Sequence, residues 1–150
     1  MKLPCAFLLA VATLAISTLA KTYTECELVD QLLNYGFNKT DLANWVCLIK
    51  HGSNFSTEAK NTETDSDGKT YTAHGLFQIS DEKWCENDKP GGTCKVKCED
   101  LRKAMSGTVE CAHEIHDEHD GFGNWKVWKE NCNGTSLTEP NCPEEIAKYS

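Results

Sequence analysis

The sequence predicts one α+β domain stabilised by disulfide bonds, and three features indicate this class. Two amphipathic helical patterns open the chain behind an apolar leader, a polar stretch with a hairpin signal and a strand follows, and shorter helical patterns complete it. Cysteines are frequent, at nine in 150 residues. That length suits a single core, and we find no repeat, low-complexity tract or linker.

The leader comprises residues 1–20. Lys2 precedes an apolar run that closes on small residues before Ala20, which is typical of a cleaved secretory signal. A membrane-anchored N-terminus is the alternative, but the run is short and wrongly flanked for a membrane span. We therefore expect a secreted protein with a domain at 21–142 and a short, loose, charged tail at 143–150.

The cysteine count predicts four disulfides. Loss of Cys5 with the leader leaves eight cysteines, and an even number in a secreted chain indicates a disulfide framework. Counting alone permits about a hundred pairings. A zinc site is the competing interpretation, but the only close pair, Cys94 and Cys98, has no second pair at matching spacing.

The charge of the chain restricts its partners. Without Lys2, 14 basic side chains face 23 acidic ones, a net charge of −9. Such a surface repels nucleic acid, anionic membranes and anionic cell walls at long range. We expect no nucleic-acid or membrane partner, and we expect a monomer.

Each helix and strand has its own signal. Residues 25–35 form an apolar stripe that Gly36 ends, and Thr40 is the expected N-cap of a second helix at 41–51. The core-facing residues of these two helices are predicted to be Leu28, Val29, Leu32, Leu33, Trp45, Leu48 and Ile49.

A polar stretch at 53–70 follows, with Asp67-Gly68 as a hairpin signal, and 70–79 is predicted as one strand. We then expect a helix at 99–106 closed by Gly107, a helix at 109–119 capped by Thr108, and a last amphipathic turn or two at 124–132.

Several short motifs occur in one order along the chain. They are CELV at 26–29, NWVCL at 44–48, SNF at 53–55, GLFQIS at 75–80, WC at 84–85 and NWKVWKENC at 124–132. Together with the cysteine spacing they resemble the c-type lysozyme and α-lactalbumin family over residues 21–142. The resemblance implies a helical lobe and a small antiparallel β lobe with a sugar-binding cleft between them. It also implies the disulfides Cys26–Cys142, Cys47–Cys132, Cys85–Cys98 and Cys94–Cys111.

Both catalytic positions of the family lack an acid in this chain. The resemblance places the general acid at Gly52 and the second carboxylate at Ala73, and residues 69–80 contain no Asp or Glu. Glycoside hydrolysis needs a proton donor and a carboxylate across the scissile bond. The sequence therefore predicts a catalytically inactive homologue, in which Gly52 is also a candidate cap of the second helix.

The binding surface is expected to survive. By resemblance, Asn54, Gln78, Trp84 and Trp125 line or support the cleft, and Glu118 could contact a distal sugar. Trp84 and Trp125 could equally be core residues, and Glu118 a solvated charge. Two departures from the family, Lys83 in place of a tryptophan and Ser80 in place of an asparagine, predict weaker or altered sugar binding.

Metal sites are not expected. His113, His116 and His119 could hold copper or zinc, but a solvated acidic helix face is the simpler interpretation. Residues 94–111 offer two adjacent acids followed by Arg102 and Lys103, so we expect no structural calcium and no cofactor. Sequons begin at Asn38, Asn54 and Asn133, and a glycan on Asn54 would crowd the cleft.

The sequence thus favours a non-catalytic, lysozyme-like protein that binds oligosaccharides of chitin or the bacterial wall, with antibacterial defence as its setting. One alternative is a protein that binds or modulates a protein partner. A second is an active muramidase with relocated acids. The candidate acids, Glu58, Asp65, Asp67 and Glu82, lie in polar stretches where a carboxyl group stays ionised.

Overall fold

The computed structural model describes residues 20–134 and 136–150. Except for Ala20, the predicted signal lies outside the described residues. The described chain has a helical lobe and a three-stranded sheet. Its core gathers residues from both parts, with Trp45 and Phe77 among the largest fully buried side chains. The α+β expectation is confirmed.

Helix α1 spans Glu25–Asn34 and begins at a capping box. The Thr24 hydroxyl accepts from the Glu27 backbone N–H at 3.3 Å, and the Glu27 carboxylate accepts from the Thr24 N–H at 2.9 Å. These bonds satisfy two backbone donors that would otherwise lack partners. The predicted stripe of four apolar residues is buried.

Helix α2 spans Leu42–Ser53 and differs at both ends from the sequence prediction. A 3₁₀ turn at Lys39–Asp41 precedes it, and Asn38 rather than Thr40 caps that turn, accepting from the Thr40 N–H at 3.0 Å. At the other end the helix continues through Gly52, and Asn54 caps it in the left-handed conformation with φ of 49°. Gly52 is therefore not the cap.

The sheet consists of β1 (Lys60–Thr64), β2 (Thr70–His74) and β3 (Ile79–Ser80), antiparallel in the order β1-β2-β3. The predicted hairpin joins β1 to β2. The prediction of one strand over 70–79 is wrong, because the chain turns at Gly75, whose φ is 74°. A Cβ there would lie 1.9 Å from the Leu101 carbonyl oxygen, so only glycine fits.

The segment after the sheet is less regular than predicted. Cys98–Arg102 and Met105–Gly107 are 3₁₀ helices, where an α-helix was expected. Helix α3 spans Val109–Asp117, and helix α4 spans Lys126–Asn131 after a 3₁₀ turn at Gly121–Asn124.

The C-terminal tail is ordered, in contrast to the sequence prediction. Pro143–Ala147 form helix α5, which packs on α1. The Tyr149 hydroxyl donates to the Asp30 carbonyl at 3.2 Å, and the Lys148 ammonium lies 3.2 Å from the Asp30 carboxylate. These contacts fix the tail to the helical lobe.

The four disulfides have the pairing that the resemblance implies. Cys26–Cys142 and Cys47–Cys132 close long loops with separations of 116 and 85 residues. Cys85–Cys98 and Cys94–Cys111 close short ones. Each long bridge restricts the unfolded chain and contributes on the order of 2–4 kcal/mol.

Candidate functional site

Two adjoining cavities lie between the sheet and helix α4. The larger, about 450 Å³, includes Tyr71, Trp84 and Asn124 in its lining, and the second, about 370 Å³, reaches Gly52 and Gln78. Both are lined by Glu63, Thr64, Lys126 and Glu130. We call the combined space the cleft. Its volume is in the range of ligand-binding pockets.

Gln78 occupies the space beside Gly52 at one end of the cleft. A Cβ added at Gly52 would lie 2.6 Å from Cγ of Gln78. Asn61 holds this arrangement, since its amide donates to the Gly52 carbonyl at 2.9 Å and to Oε1 of Gln78 at 2.7 Å. The Gln78 amide donates in turn to the Gly75 carbonyl at 2.9 Å. The side chains that are hydrogen-bonded around this position are thus amides, which do not exchange a proton near neutral pH.

Ala73 lies in the middle of the sheet and offers no chemistry. It is fully buried on β2, opposite Asn61 of β1 and Ser80 of β3. Its methyl group can neither stabilise a cation nor attack an anomeric carbon.

Of the five predicted binding residues, two line the cleft. Gln78 is 3% exposed and Trp84 is 4% exposed, and the Lys83 ammonium lies 4.1 Å from the Trp84 ring centroid. Trp125 is a core residue, 3% exposed, with its indole N–H donating to the Phe77 carbonyl at 2.8 Å. The remaining two, Asn54 and Glu118, cap α2 and α3 at exposed positions outside the cleft lining.

Glu63 was missed by the sequence analysis, although it lies in both parts of the cleft. Its side chain is partly buried, and no hydrogen bond or ion pair holds its carboxyl group within the described part of the chain. Burial raises the pKa of Glu63; Lys126 opposes that rise, and Glu130 and Glu82 add to it. Glu63 stands two residues after Asn61 on β1 and so shares its face, but neither residue belongs to a motif that singles it out.

The acids that the sequence suggested as relocated catalysts fit less well. Asp65 lines the cleft, but its carboxylate accepts from the Lys69 and Asp67 N–H groups, each at 2.9 Å, and these bonds lower its pKa. Glu82 lines the cleft but is exposed, and Glu58 lies outside it. Asp67 is exposed and lies outside the cleft lining, so none of the four is a buried carboxyl group of the cleft without hydrogen bonds.

His74 is a second titratable group in unusual surroundings. It is 2% exposed, and neither ring nitrogen has a hydrogen-bond partner among the residues that the structure describes. Nε2 lies 3.9 Å from the Asp81 carboxylate. Burial lowers the pKa of His74, and Asp81 opposes that effect. A ring nitrogen lies within 4.8 Å of the sulfurs of Cys85 and Cys98, but these form a disulfide and offer no thiolate to a metal.

The three histidines of α3 and its C-terminal end do not converge on one point. His113 packs on Phe37 with 4.1 Å between ring centroids, and His116 packs on Phe122 at 4.5 Å. His119 is fully exposed beside Asp120.

Among the described helices, none has the length and apolar character needed to cross a lipid bilayer.

Comparison with known proteins agrees with this fold. Residues 21–142 match the model of the C-type lysozyme/alpha-lactalbumin family. The chain is 37% identical over 138 residues to lysozyme c-1 of Anopheles gambiae, covering 91% of this chain and 95% of that protein. It is 38% identical over 135 residues to a lysozyme of Bombyx mori, with coverages of 89% and 95%. The crystal structure of canine milk lysozyme superposes with a TM-score of 0.67 at 27% identity, covering 79% of this chain and 94% of the other.

Proposed function

The chain belongs to the C-type lysozyme/alpha-lactalbumin family, and from that premise we propose that it is a secreted protein that binds chitin-type or peptidoglycan-type glycans without cleaving them. Secretion rests on the predicted signal. Antibacterial defence is the setting that a wall-binding member of this family suggests.

The observation that carries the proposal is the arrangement at Gly52. The general-acid position has no side chain, and Gln78 occupies the space that an acid's Cβ would need. Loss of a positioned acid alone removes about 10²–10⁴ in rate. With Ala73 at the second position, the oxocarbenium-like transition state also lacks electrostatic support.

Binding does not depend on those carboxylates. Ground-state affinity comes from contacts spread along a cleft, whereas the catalytic pair acts mainly in the transition state. The cleft retains hydrogen-bonding groups at Ser80 and Asn124 and aromatic rings at Tyr71 and Trp84. Because Trp84 is largely buried, stacking is limited, and we expect a dissociation constant of about 10 μM to 1 mM.

A second candidate function, hydrolysis by a relocated acid, is favoured by one observation. Glu63 is a carboxyl group of raised pKa inside the cleft, near Glu130 and Glu82. A protonated acid and an ionised partner are the pair that glycosidases use. If the protein does cleave glycans, Glu63→Gln should abolish that cleavage, whereas Glu58→Gln, outside the cleft, should not.

A combined sedimentation and turbidity assay tests the proposal. Purified protein is mixed with bacterial cells or insoluble chitin, and both the pelleted fraction and the turbidity are followed, with an active c-type lysozyme as the positive control. We expect the protein to pellet while the turbidity of the cells stays constant. Clearing within about a hundredfold of the control rate would contradict the proposal.

The dependence of the pelleted fraction on salt concentration tests the proposal further. At a net charge of −9 the mature chain is repelled by anionic bacterial walls, so binding of the protein to these walls should increase as salt screens the repulsion. Binding to neutral chitin should change little. If neither polymer retains the protein, the glycan proposal fails and a protein partner becomes the better hypothesis.

A further inference from the structure

We propose that the cleft prefers glycans with free 2-amino groups, that is, glucosamine units, over their N-acetylated counterparts, and that Glu63 sets this preference. This inference rests on the proposed function, since it concerns the kind of glycan that the cleft takes.

Glu63 has the placement of a ligand-binding carboxylate. It stands opposite Tyr71 in the β1–β2 register, and both side chains line the larger cavity. Its carboxyl group is partly buried and has no donor from the described protein. A partly desolvated carboxylate without a donor is unfavourable, and an ammonium group supplies a charge-assisted hydrogen bond. An N-acetylated sugar offers only a neutral N–H beside a bulky acyl group.

The charges around Glu63 leave an ammonium group a place to bind. Lys126 is already engaged, because its ammonium donates to the Thr64 carbonyl and lies 3.6 Å from the Glu130 carboxylate. Lys126 and Lys129 are the cations that act on Glu63, and the lining of the larger cavity sets them against the carboxyl groups of Glu63, Asp65, Glu82 and Glu130. This local excess of two negative charges is what a glucosamine ammonium would reduce.

The aromatic rings of the larger cavity supply an independent indication. The Lys69 ammonium lies 5.0 Å from the ring centroid of Tyr71, and the Lys83 ammonium lies 4.1 Å from that of Trp84. Both rings therefore already hold a cation on one face. Lys69 and Lys83 are exposed side chains outside the lining. Ring faces that accept an ammonium group and an unpartnered carboxyl group thus meet in one cavity.

Calorimetric titration with two soluble probes tests the preference. The glucosamine hexamer and the N-acetylglucosamine hexamer are titrated into wild type, Glu63→Gln and Glu110→Gln. The last is a charge-matched control on an exposed acid of α3 that does not line the cleft. We expect wild type and Glu110→Gln to bind the amino hexamer about tenfold tighter, and Glu63→Gln to bring that ratio close to one. A ratio that survives in Glu63→Gln would overturn the inference.

Two further arms keep the test decisive if Glu63→Gln folds poorly. In wild type the preference should shrink as salt rises, and it should vanish as the pH falls and the Glu63 carboxyl group is protonated. A preference insensitive to both would refute the role of Glu63. Binding of the N-acetylated hexamer without any preference refutes this inference alone, whereas binding of neither hexamer refutes the proposed function as well.

The same chemistry could come from chitin or from the bacterial wall. Sedimentation with chitosan and with chemically de-N-acetylated peptidoglycan, each beside its N-acetylated parent, distinguishes the two sources. We expect stronger retention on the de-N-acetylated form of at least one polymer. Equal retention on both forms of both polymers would contradict the preference.

Discussion

Replacement of Gly52 by alanine should destabilise this protein, although the same change stabilises most helices. Gly52 lies inside α2, where alanine normally gains up to about 1 kcal/mol over glycine. Here the new methyl group would lie 2.6 Å from Cγ of Gln78. Forcing an extra carbon into a packed site costs about 1–3 kcal/mol. The contact therefore outweighs the helix propensity, and we expect a net loss of about 1 kcal/mol.

A double-mutant cycle isolates that contact. Gln78 has a φ of 50°, which glycine adopts without strain, so Gln78→Gly removes the obstructing side chain and suits the backbone. In the Gln78→Gly background, Gly52→Ala should become stabilising, because its nearest remaining neighbour is Cγ1 of Val127 at 3.5 Å. The coupling energy between the two sites should be about 1–3 kcal/mol.

Urea denaturation of the four proteins at neutral pH, with disulfides intact, measures the cycle. Gly107→Ala serves as a control, since its methyl group would meet only the Asp100 carbonyl oxygen at 3.8 Å. We expect no comparable loss there. A stabilising Gly52→Ala in the presence of Gln78, or a coupling below about 0.5 kcal/mol, would refute the idea that Gln78 fills this site.

Two further predictions concern catalysis and pH. On sequence alone, Gly52→Glu with Ala73→Asp would be expected to restore hydrolysis, but Gln78 occupies the space of the new acid. We therefore expect the release of reducing ends from the glycan to stay at background until Gln78→Gly is added. Release by the double variant without Gln78→Gly would contradict this. The pKa of His74 is lower in the folded protein than in the unfolded chain, so the unfolded chain binds the proton at higher pH. The free energy of unfolding should therefore decrease as the pH falls below the unfolded-state pKa of about 6.5. Urea midpoints measured between neutral and acidic pH should fall, and His74→Gln should flatten that slope while His119→Gln at the exposed site should not.

Much of the fold was predictable because it follows from local patterns. The apolar stripe of α1 and the Asp67-Gly68 hairpin need only neighbouring residues to specify them. The assignment of Gly52 and Ala73 to the catalytic positions came from the resemblance and stays a prediction. The disulfide pairing came from the resemblance, since counting leaves it open.

The errors arise where distant parts of the chain decide the structure. The strand over 70–79 ends at Gly75, a left-handed glycine that lies against the distant Leu101 carbonyl, where no side chain fits. The short α5 becomes ordered by packing on α1, a contact that no local pattern shows. Glu63 was overlooked for a similar reason, since the cleft that it lines is formed together with residues of α4, which lie far away in the sequence.

The most direct test of the account is a calorimetric titration of neutral chitohexaose into the purified protein, because one trace reports both binding and cleavage. The account predicts a saturable heat with a dissociation constant of about 10 μM to 1 mM and a return to baseline after every injection. A displaced baseline that persists while sugar remains would show hydrolysis and contradict the proposal that the protein does not cleave glycans. A trace without any heat of binding at millimolar sugar, at more than one temperature, would contradict the glycan-binding role itself.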